Sequence, residues 1–172
     1  TLGTSGKSAG HLVPKIITLL DDDDAFVRAS AAEALGNLGP AARAAAPILA
    51  RKLNDKVSRV RAAAVDGLGR TAGDDVTYAA LFATALNADE ASVRIAATRV
   101  LSKLPAIATA AAENLVAALV DEDEHVRAGA ARALGVAGKD IASSVPALVQ
   151  QLRDPVDEVR VEIVRALGAI GE

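Results

Sequence analysis

The stretch that decides the fold is "DEDEHVRAGAARALGVAGK", residues 121–139. Its apolar side chains recur at the i, i+4, i+7, i+8 and i+11 positions that form one buried face of an α-helix. They are Val126, Ala130, Ala133, Leu134 and Ala137. Acidic residues stand before this run, where carboxylates can accept the unpaired N–H groups of a helix start. The stretch therefore predicts a turn followed by an amphipathic helix.

The same pattern returns every 33 residues along the chain. A Val-Arg pair occurs at Val27-Arg28, Val60-Arg61, Val93-Arg94, Val126-Arg127 and Val159-Arg160. Two leucine columns share this spacing, one running from Leu35 to Leu167 and the other from Leu20 to Leu152. A fixed period of this length is the mark of a repeat protein. It divides the chain into the units 8–40, 41–73, 74–106, 107–139 and 140–172.

The first residues continue the pattern backwards. Residues 1–7, "TLGTSGK", match the end of a unit, with Leu2 and Gly3 in register with Leu35 and Gly36. Since the chain also begins at Thr1 rather than methionine, we expect it to be a fragment of a longer protein.

Each unit is predicted to contain a short and a longer helix. "APILARKL" at 46–53 and "VPALVQQL" at 145–152 show the short helix best, and each has a proline in its first turn, where the missing N–H costs nothing. An aspartate precedes the longer helix at Asp22, Asp55, Asp121 and Asp154. We interpret this aspartate as the helix N-cap, with Pro155 as a first helical residue. Ala88 stands in this column in the third unit, which predicts a weaker cap there.

A helix pair of this size cannot bury its apolar face alone, whereas stacked pairs share a continuous core. We therefore predict an all-α fold, a right-handed α-solenoid (α–α superhelix) of five two-helix repeats. It would form a single domain over residues 1–172.

Composition limits the possible functions. The 172 residues are 51% hydrophobic and only 2% aromatic, carry a net charge of −3 and contain no cysteine. A nucleic-acid binder would normally be basic and, for single strands, would present aromatic residues, so we do not expect one. The chain has no apolar run of about 18 residues, so no membrane span is predicted. The compartment is not determined, and the cytoplasm is the default.

The combination of Pro47, Asp55, Val60-Arg61 and Leu68-Gly69 resembles the HEAT repeat, in the variety found in bilin-lyase (PBS lyase) type proteins. The resemblance covers the whole chain. It implies a ladder in which the column aspartates pair with the arginines of the Val-Arg column, interrupted at Ala88. Ankyrin repeats have a similar period, but their TPLHxA signature is absent, and tetratricopeptide repeats expect aromatic residues that this chain lacks.

No motif for catalysis or for a cofactor is present. A calcium loop beginning at Asp121 would need glycine and glutamate where Val126 and Arg132 stand. The two histidines, His11 and His125, lack the His-Glu pairs of the di-iron enzymes built on HEAT repeats. "GTSGK" at 3–7 has only part of a phosphate-loop pattern. We therefore predict no enzyme activity, no metal site and no cofactor.

The candidate site consists of exposed positions that vary between repeats. They are Glu33, Asp66, Arg70, Arg99, Lys103, His125, Arg132 and Arg165. The second helices of HEAT-type proteins usually line the concave face, which would place the basic members in a strip with Glu33 and Asp66 at its N-terminal end. Such a strip fits an acidic or mixed-charge protein or peptide partner.

The sequence thus favours a non-enzymatic scaffold for protein–protein interaction that binds its partner through the concave face. The alternatives are a bilin lyase or lyase-like chaperone subunit, a HEAT protein that binds damaged DNA, and a designed or engineered repeat scaffold. Val161, Ile163 and Val164 make the last repeat more apolar than the others, whereas a terminal cap should be more polar. This predicts continuing repeats, a following domain or a self-association surface at that end.

Overall fold

The computed structural model of the protein describes residues 10–171, which are almost entirely helical and contain no β-strand. The helices are α1 (Val13–Thr18), α2 (Ala25–Leu38), α3 (Ala46–Lys52), α4 (Ser58–Ala72), α5 (Ala79–Leu86), α6 (Ala91–Leu101), α7 (Pro105–Ala110), α8 (Ala112–Ala118), α9 (Glu124–Ala137), α10 (Val145–Gln150) and α11 (Asp157–Gly171). Short 3₁₀ turns join several of them, the longest at Gly39–Ala45 and Gly138–Ser144. The predicted repeat tail at 1–7 lies outside the described residues.

The chain divides into two compact units, one reaching Gly73 and the other starting at Asp74. This division falls where the period places the boundary between the second and third repeats. The first unit contains α1–α4, and the second contains α5–α11. Each predicted repeat contains a short first segment and a longer second helix, as expected, but the first segment of the fourth repeat is divided into two helices.

The first helices begin as their sequences predict. Pro14, Pro47 and Pro146 each lie in the first turn of a helix, in α1, α3 and α10 respectively. In the fourth repeat the first segment is split into α7 and α8 at Ala111, whose backbone φ of −102° departs from helical values.

The second helices of adjacent repeats approach each other closely at glycine. In the first unit a Cβ added to Gly67 of α4 would lie 2.7 Å from the carbonyl oxygen of Ala32 in α2. In the second unit a Cβ on Gly129 of α9 would lie 2.3 Å from the Thr98 hydroxyl oxygen of α6. Both distances are shorter than atomic contact allows. Glycine is therefore required for the observed separation of the helices.

The predicted leucine core is present in the interior of each unit. Leu35, Leu68, Leu101 and Leu134 are fully buried. Leu167 is only half-buried, and Leu152 is exposed. The column that runs from Leu20 to Leu152 is therefore less uniformly buried, since Leu53 is also only half-buried.

An arginine–aspartate ladder joins neighbouring repeats within each unit. In the first unit the Arg28 Nε and Nη2 atoms donate to both Asp55 carboxylate oxygens at 2.8 and 2.9 Å. Two rungs of the same geometry lie in the second unit, Arg94–Asp121 at 2.8 and 2.9 Å and Arg127–Asp154 at 2.7 and 3.1 Å. Parallel, two-point contacts of this kind are the strongest form of arginine–carboxylate pairing.

Each ladder arginine is also anchored in its own repeat. Its Nη1 atom donates to the backbone carbonyl six residues earlier, as from Arg127 to Asp121 at 2.9 Å and from Arg61 to Asp55 at 2.8 Å. The guanidinium group therefore holds the turn of one repeat against that of the next, which explains why the Val-Arg column recurs so regularly.

The interpretation of the aspartate column as N-caps is wrong. Asp154 accepts the N–H of Val156 at 2.9 Å, but α11 begins only at Asp157, and Pro155 lies outside the helix. Because the carboxylate must reach the arginine of the preceding repeat, it sits upstream of the helix in the turn. Side-chain caps occur two residues further on, where Asp24 and Asp123 accept the N–H groups of Phe26 and His125 at 2.7 and 2.8 Å.

Candidate functional site

The predicted site residues of the first unit surround a shallow pocket on its second helices. Glu33 of α2 and Asp66 and Arg70 of α4 line a cavity of about 240 Å³, whose floor includes Gly36 and Gly67. The Arg70 Nη1 atom donates to the Asn37 side-chain oxygen at 2.7 Å, which fixes the guanidinium across the two helices. Gly36 and Gly67 allow α2 and α4 to pack closely. Because neither glycine has a side chain, the space between the surrounding side chains stays open and forms the pocket.

A second pocket lies on the second helices of the other unit. Arg99, His125 and Arg132 line a cavity of about 210 Å³, together with Thr98, Gly129, Glu158 and other residues. The three predicted residues are exposed, whereas Thr98 beneath them is buried. The contact between Gly129 and Thr98 forms the floor of this pocket. Of the eight candidate residues, three line this pocket and three others line the pocket of the first unit.

Glu162 is a central residue of this surface that sequence reasoning missed. Its carboxylate is 7% exposed and accepts from Arg132 Nε at 3.1 Å and from Arg165 Nη1 at 2.7 Å. The repeat pattern could have pointed to Glu162. The same position in the earlier repeats holds only small residues, Ser30, Ala63, Ala96 and Gly129. A carboxylate at a position otherwise restricted to small residues indicates a specific partner for it.

These ion pairs reduce the positive charge of the predicted strip. Arg132 is held by Glu162 and lies 3.9 Å from a Glu158 oxygen, and Arg165 also pairs with Glu162. In the second unit the candidate residues remain predominantly basic, whereas Glu33 and Asp66 outnumber Arg70 in the first. The surface is therefore of mixed charge, with opposite prevailing signs in the two units.

Lys103 is the candidate residue that does not lie on a helix. Helix α6 ends at Leu101, and Lys103 is an exposed residue in the following turn, where its N–H donates to the Val100 carbonyl at 3.0 Å. The early end has a local cause, because Leu104 precedes Pro105 and residues before proline avoid the helical conformation. Lys103 is not among the residues lining the second pocket.

The acidic run at 121–124 has structural contacts. Asp121 pairs with Arg94, Glu122 lies 3.1 Å from the same arginine, and Asp123 caps α9. Over residues 10–171, no group of three or more histidine and acidic side chains is arranged to hold a metal ion. Nor does any helix in that range have the length and apolar content needed to cross a bilayer.

Several of these carboxylates have shifted pKa values. The hydrogen bonds from Arg127 hold the pKa of Asp154 below its ordinary value, against the opposing effect of burial. Burial alone would raise the pKa of Glu162, but hydrogen bonding and charge attraction from Arg132 and Arg165 outweigh it and lower that pKa. The pKa of Asp55 is lowered in the same way by Arg28. These carboxylates thus bind protons less readily in the folded chain than in the unfolded chain.

Stability should therefore fall on acidification. A carboxylate with a lowered folded-state pKa stabilises the protein above its unfolded-state pKa of about 4, and this contribution is lost as the pH falls through the folded value. We expect the urea midpoint to drop between neutral pH and about pH 3. Glu162→Gln should reduce this dependence because it removes one of the shifted groups. An unchanged or higher midpoint in acid would contradict this assignment of the carboxylates.

Comparison with known sequences decides the family. The sequence model for HEAT repeats matches residues 13–102 and 112–172. The chain belongs to the HEAT-repeat family. The resemblance seen in the sequence and the all-α solenoid fold predicted from it are both confirmed. No curated protein sequence matches the chain.

Solved structures with the same fold include natural and designed proteins. The CpcE–CpcF complex of phycocyanin lyase from Nostoc sp. PCC7120 is 23% identical, with a TM-score of 0.68 over 91% of this HEAT-repeat chain and 98% of the other. An engineered protein is 21% identical, with a TM-score of 0.72 over 99% and 93%. A designed armadillo repeat protein in complex with the peptide (KR)4 is 21% identical, with a TM-score of 0.78 over 95% and 83%. At these identities the similarity shows the fold alone.

Proposed function

We propose that this HEAT-repeat chain is a non-enzymatic scaffold that binds a protein or peptide partner through the exposed surface of its second helices. The observation that carries the proposal is the pocket on α6 and α9, where Arg99, His125 and Arg132 are exposed above a floor of small residues. An open groove with convergent polar side chains suits an extended segment better than a small enclosed substrate.

The charges of the second unit point to an acidic or mixed-charge segment of the partner. Glu162 holds Arg132 and Arg165 in place through side-chain contacts at 3.1 and 2.7 Å, so less side-chain entropy is lost when a carboxylate binds. The designed armadillo protein of similar fold binds a peptide of alternating Lys and Arg, which shows that such a solenoid can hold a charged peptide. For this chain we propose the reverse arrangement, in which arginines of the solenoid contact carboxylates of the partner.

Fluorescence anisotropy with a labelled octapeptide of alternating Asp and Glu tests the proposal. Arg99→Gln with Arg132→Gln should weaken binding about 5- to 30-fold, because two exposed charge contacts are worth about 1–2 kcal/mol together. Glutamine is preferred to glutamate at position 132, since a new carboxylate would face the buried Glu162. Binding should also weaken with added salt.

The matched control replaces two exposed arginines away from the second helices, Arg51→Gln and Arg153→Gln. This control removes the same charge and should leave the affinity within about twofold of the wild type, because these two arginines are not expected to contact the peptide. Absence of binding by the wild type, or equal weakening by both pairs, would reject the proposed surface. Pull-down with mass spectrometry would then name the natural partner.

A lyase or lyase-like subunit is the second candidate, because the CpcE–CpcF complex has the same fold over most of the chain. It predicts that a linear tetrapyrrole added to the protein changes its visible absorption on binding. The scaffold function predicts no change with tetrapyrrole and retained binding of the acidic peptide.

A further inference from the structure

Two glutamates on helix α11 approach the same guanidinium group of α9. Glu158 and Glu162 are four residues apart, so their side chains lie on one face of the helix, one turn from each other. The Arg132 Nε atom lies 3.1 Å from a Glu162 oxygen, and its Nη2 atom lies 3.9 Å from a Glu158 oxygen. The Glu162 side chain is 7% exposed, whereas that of Glu158 is 60% exposed. Arg132 thus stands between a buried carboxylate and one that is open to solvent.

Glu162 holds one edge of the Arg132 guanidinium group. Both Glu162 oxygens accept hydrogen bonds, one from Arg132 Nε at 3.1 Å and the other from Arg165 Nη1 at 2.7 Å. Burial opposes the ionisation of Glu162, but the two arginines outweigh it and lower the pKa, so the group stays charged at neutral pH. A buried carboxylate without its partner is strongly unfavourable, which keeps Nε turned toward Glu162.

The terminal N–H groups of Arg132 are then the ones that a partner can reach. A guanidinium group has five N–H donors, and the bond to Glu162 uses only the one on Nε. Within the described residues, neither Nη1 nor Nη2 of Arg132 donates a hydrogen bond. Parallel N–H groups of one guanidinium can meet both oxygens of a carboxylate, which is the strongest form of this contact.

The contact with Glu158 is of a different kind. At 3.9 Å it is too long for a hydrogen bond, and exposed ion pairs of this kind add little to stability. Glu158 nevertheless lines the same cavity of about 210 Å³ as Arg132 and His125. Its carboxylate therefore lies beside the terminal N–H groups of Arg132, in the space that a carboxylate of a bound segment would have to enter.

The charges around Arg132 nearly cancel. Arg132 and Arg165 carry two positive charges, and Glu158 and Glu162 carry two negative charges. These four side chains together give little net attraction for an acidic segment. Affinity for a carboxylate at this point has to come from the orientation of the donors.

We propose that Glu162 positions Arg132 to bind a carboxylate of the partner, and that Glu158 occupies the place of this carboxylate until the partner binds. The inference rests on the proposed function, which supplies the acidic segment. On binding, the incoming carboxylate accepts the two terminal N–H groups of Arg132, while the bond from Nε to Glu162 is kept. Glu158 loses only a long ion pair and turns toward solvent.

Two variants that remove the same charge test these roles. The probe is the labelled octapeptide of alternating Asp and Glu, whose dissociation constant is measured by fluorescence anisotropy with the full chain. Glu158→Gln should tighten binding about 2- to 5-fold, because the competing carboxylate is gone. Glu162→Gln should weaken binding about 3- to 10-fold, although it makes the surface more positive, because Arg132 loses its fixed orientation. Tighter binding by both variants would show that net charge governs affinity and would overturn the proposal, as would weaker binding by Glu158→Gln.

Binding kinetics separate positioning from an effect on folding. Charge at the rim of a binding surface acts mainly on the association rate constant, whereas contacts formed in the complex determine dissociation. For Glu162→Gln we expect the dissociation rate constant to rise about 3- to 10-fold with no decrease in association. Circular dichroism establishes that each variant is folded before the stopped-flow measurement. An unchanged dissociation rate constant in folded Glu162→Gln would give Glu162 a structural role alone and reject the proposal.

An NMR measurement on Arg132 tests the same roles without the octapeptide. The Nε–H signal of Arg132 is assigned by its loss in Arg132→Lys. Its exchange with water should be faster in Glu162→Gln than in the wild type and unchanged in Glu158→Gln, because Glu162 accepts this proton. Acetate, a single carboxylate, should shift the signal at lower concentration in Glu158→Gln than in the wild type. A wild type that does not bind the octapeptide rejects the proposed function, whereas equal exchange and equal acetate response in all three proteins reject the roles of Glu158 and Glu162.

Discussion

Replacing Arg127 with methionine is expected to lower the free energy of unfolding by about 3 kcal/mol, the low end for breaking a buried ion pair. The Asp154 side chain is 3% exposed, so the substitution leaves its charge with a single backbone N–H from Val156. It also removes the Nη1 contact to the Asp121 carbonyl, which loosens the turn before α9. Urea denaturation at neutral pH measures the effect.

Two further variants separate lost pairing from lost packing. Adding Asp154→Asn to Arg127→Met should restore part of the stability, because the group left behind is neutral and can still accept the Val156 N–H. Arg160→Met is the matched control: it occupies the same column, but its side chain is 39% exposed and lacks the aspartate of a following repeat. An equal loss for Arg160→Met would show that the aspartate of the next repeat contributes nothing.

Leu134→Ala is expected to cost about 2–5 kcal/mol, the range for removing a buried leucine side chain and leaving a cavity. Leu134 is fully buried in α9, among other buried side chains of that helix. Close packing around the glycines limits how far the helices can move to fill the space. The loss is measured as a lower urea midpoint with an unchanged slope.

The matched control is Leu152→Ala. The leucine column that contains Leu152 is as regular in spacing as that of Leu134, but the structure leaves Leu152 36% exposed. We expect a much smaller loss there, since little apolar area returns to water and no closed cavity forms. Equal losses at both positions would mean that the repeat period, and not burial, determines the energetic role of each leucine.

Much of the fold was predictable because one local pattern is repeated. The Val-Arg and leucine columns place the second helices, and Pro14, Pro47 and Pro146 place the start of three first helices. The interpretation of the aspartate column as helix caps is wrong, whereas the ladder implied by the HEAT resemblance is present in three rungs. The role of the column depends on an arginine 27 residues earlier, as in Arg127–Asp154. Position in the sequence alone does not distinguish a cap from a rung, since both need an aspartate just before a helix.

The candidate site was predictable only in part. Side chains at the Glu33, Asp66, Arg99 and Arg132 column were expected to share one face of the second helices, and in each unit they line a common pocket. The partner of Arg132 was not foreseen, because Glu162 lies 30 residues away and its burial depends on how closely α9 and α11 pack.

By itself the sequence determined the period, the helical class and the core positions shared by every repeat, because these follow from spacing along one helix. Only the tertiary structure decided which charges are neutralised, which glycines bring helices into contact, and which members of a leucine column are exposed. Each of these depends on distances between helices that belong to different repeats. The physical reason is that the spacing of apolar residues is set within one helix pair, whereas an ion pair between repeats or a buried surface requires two pairs to be packed together.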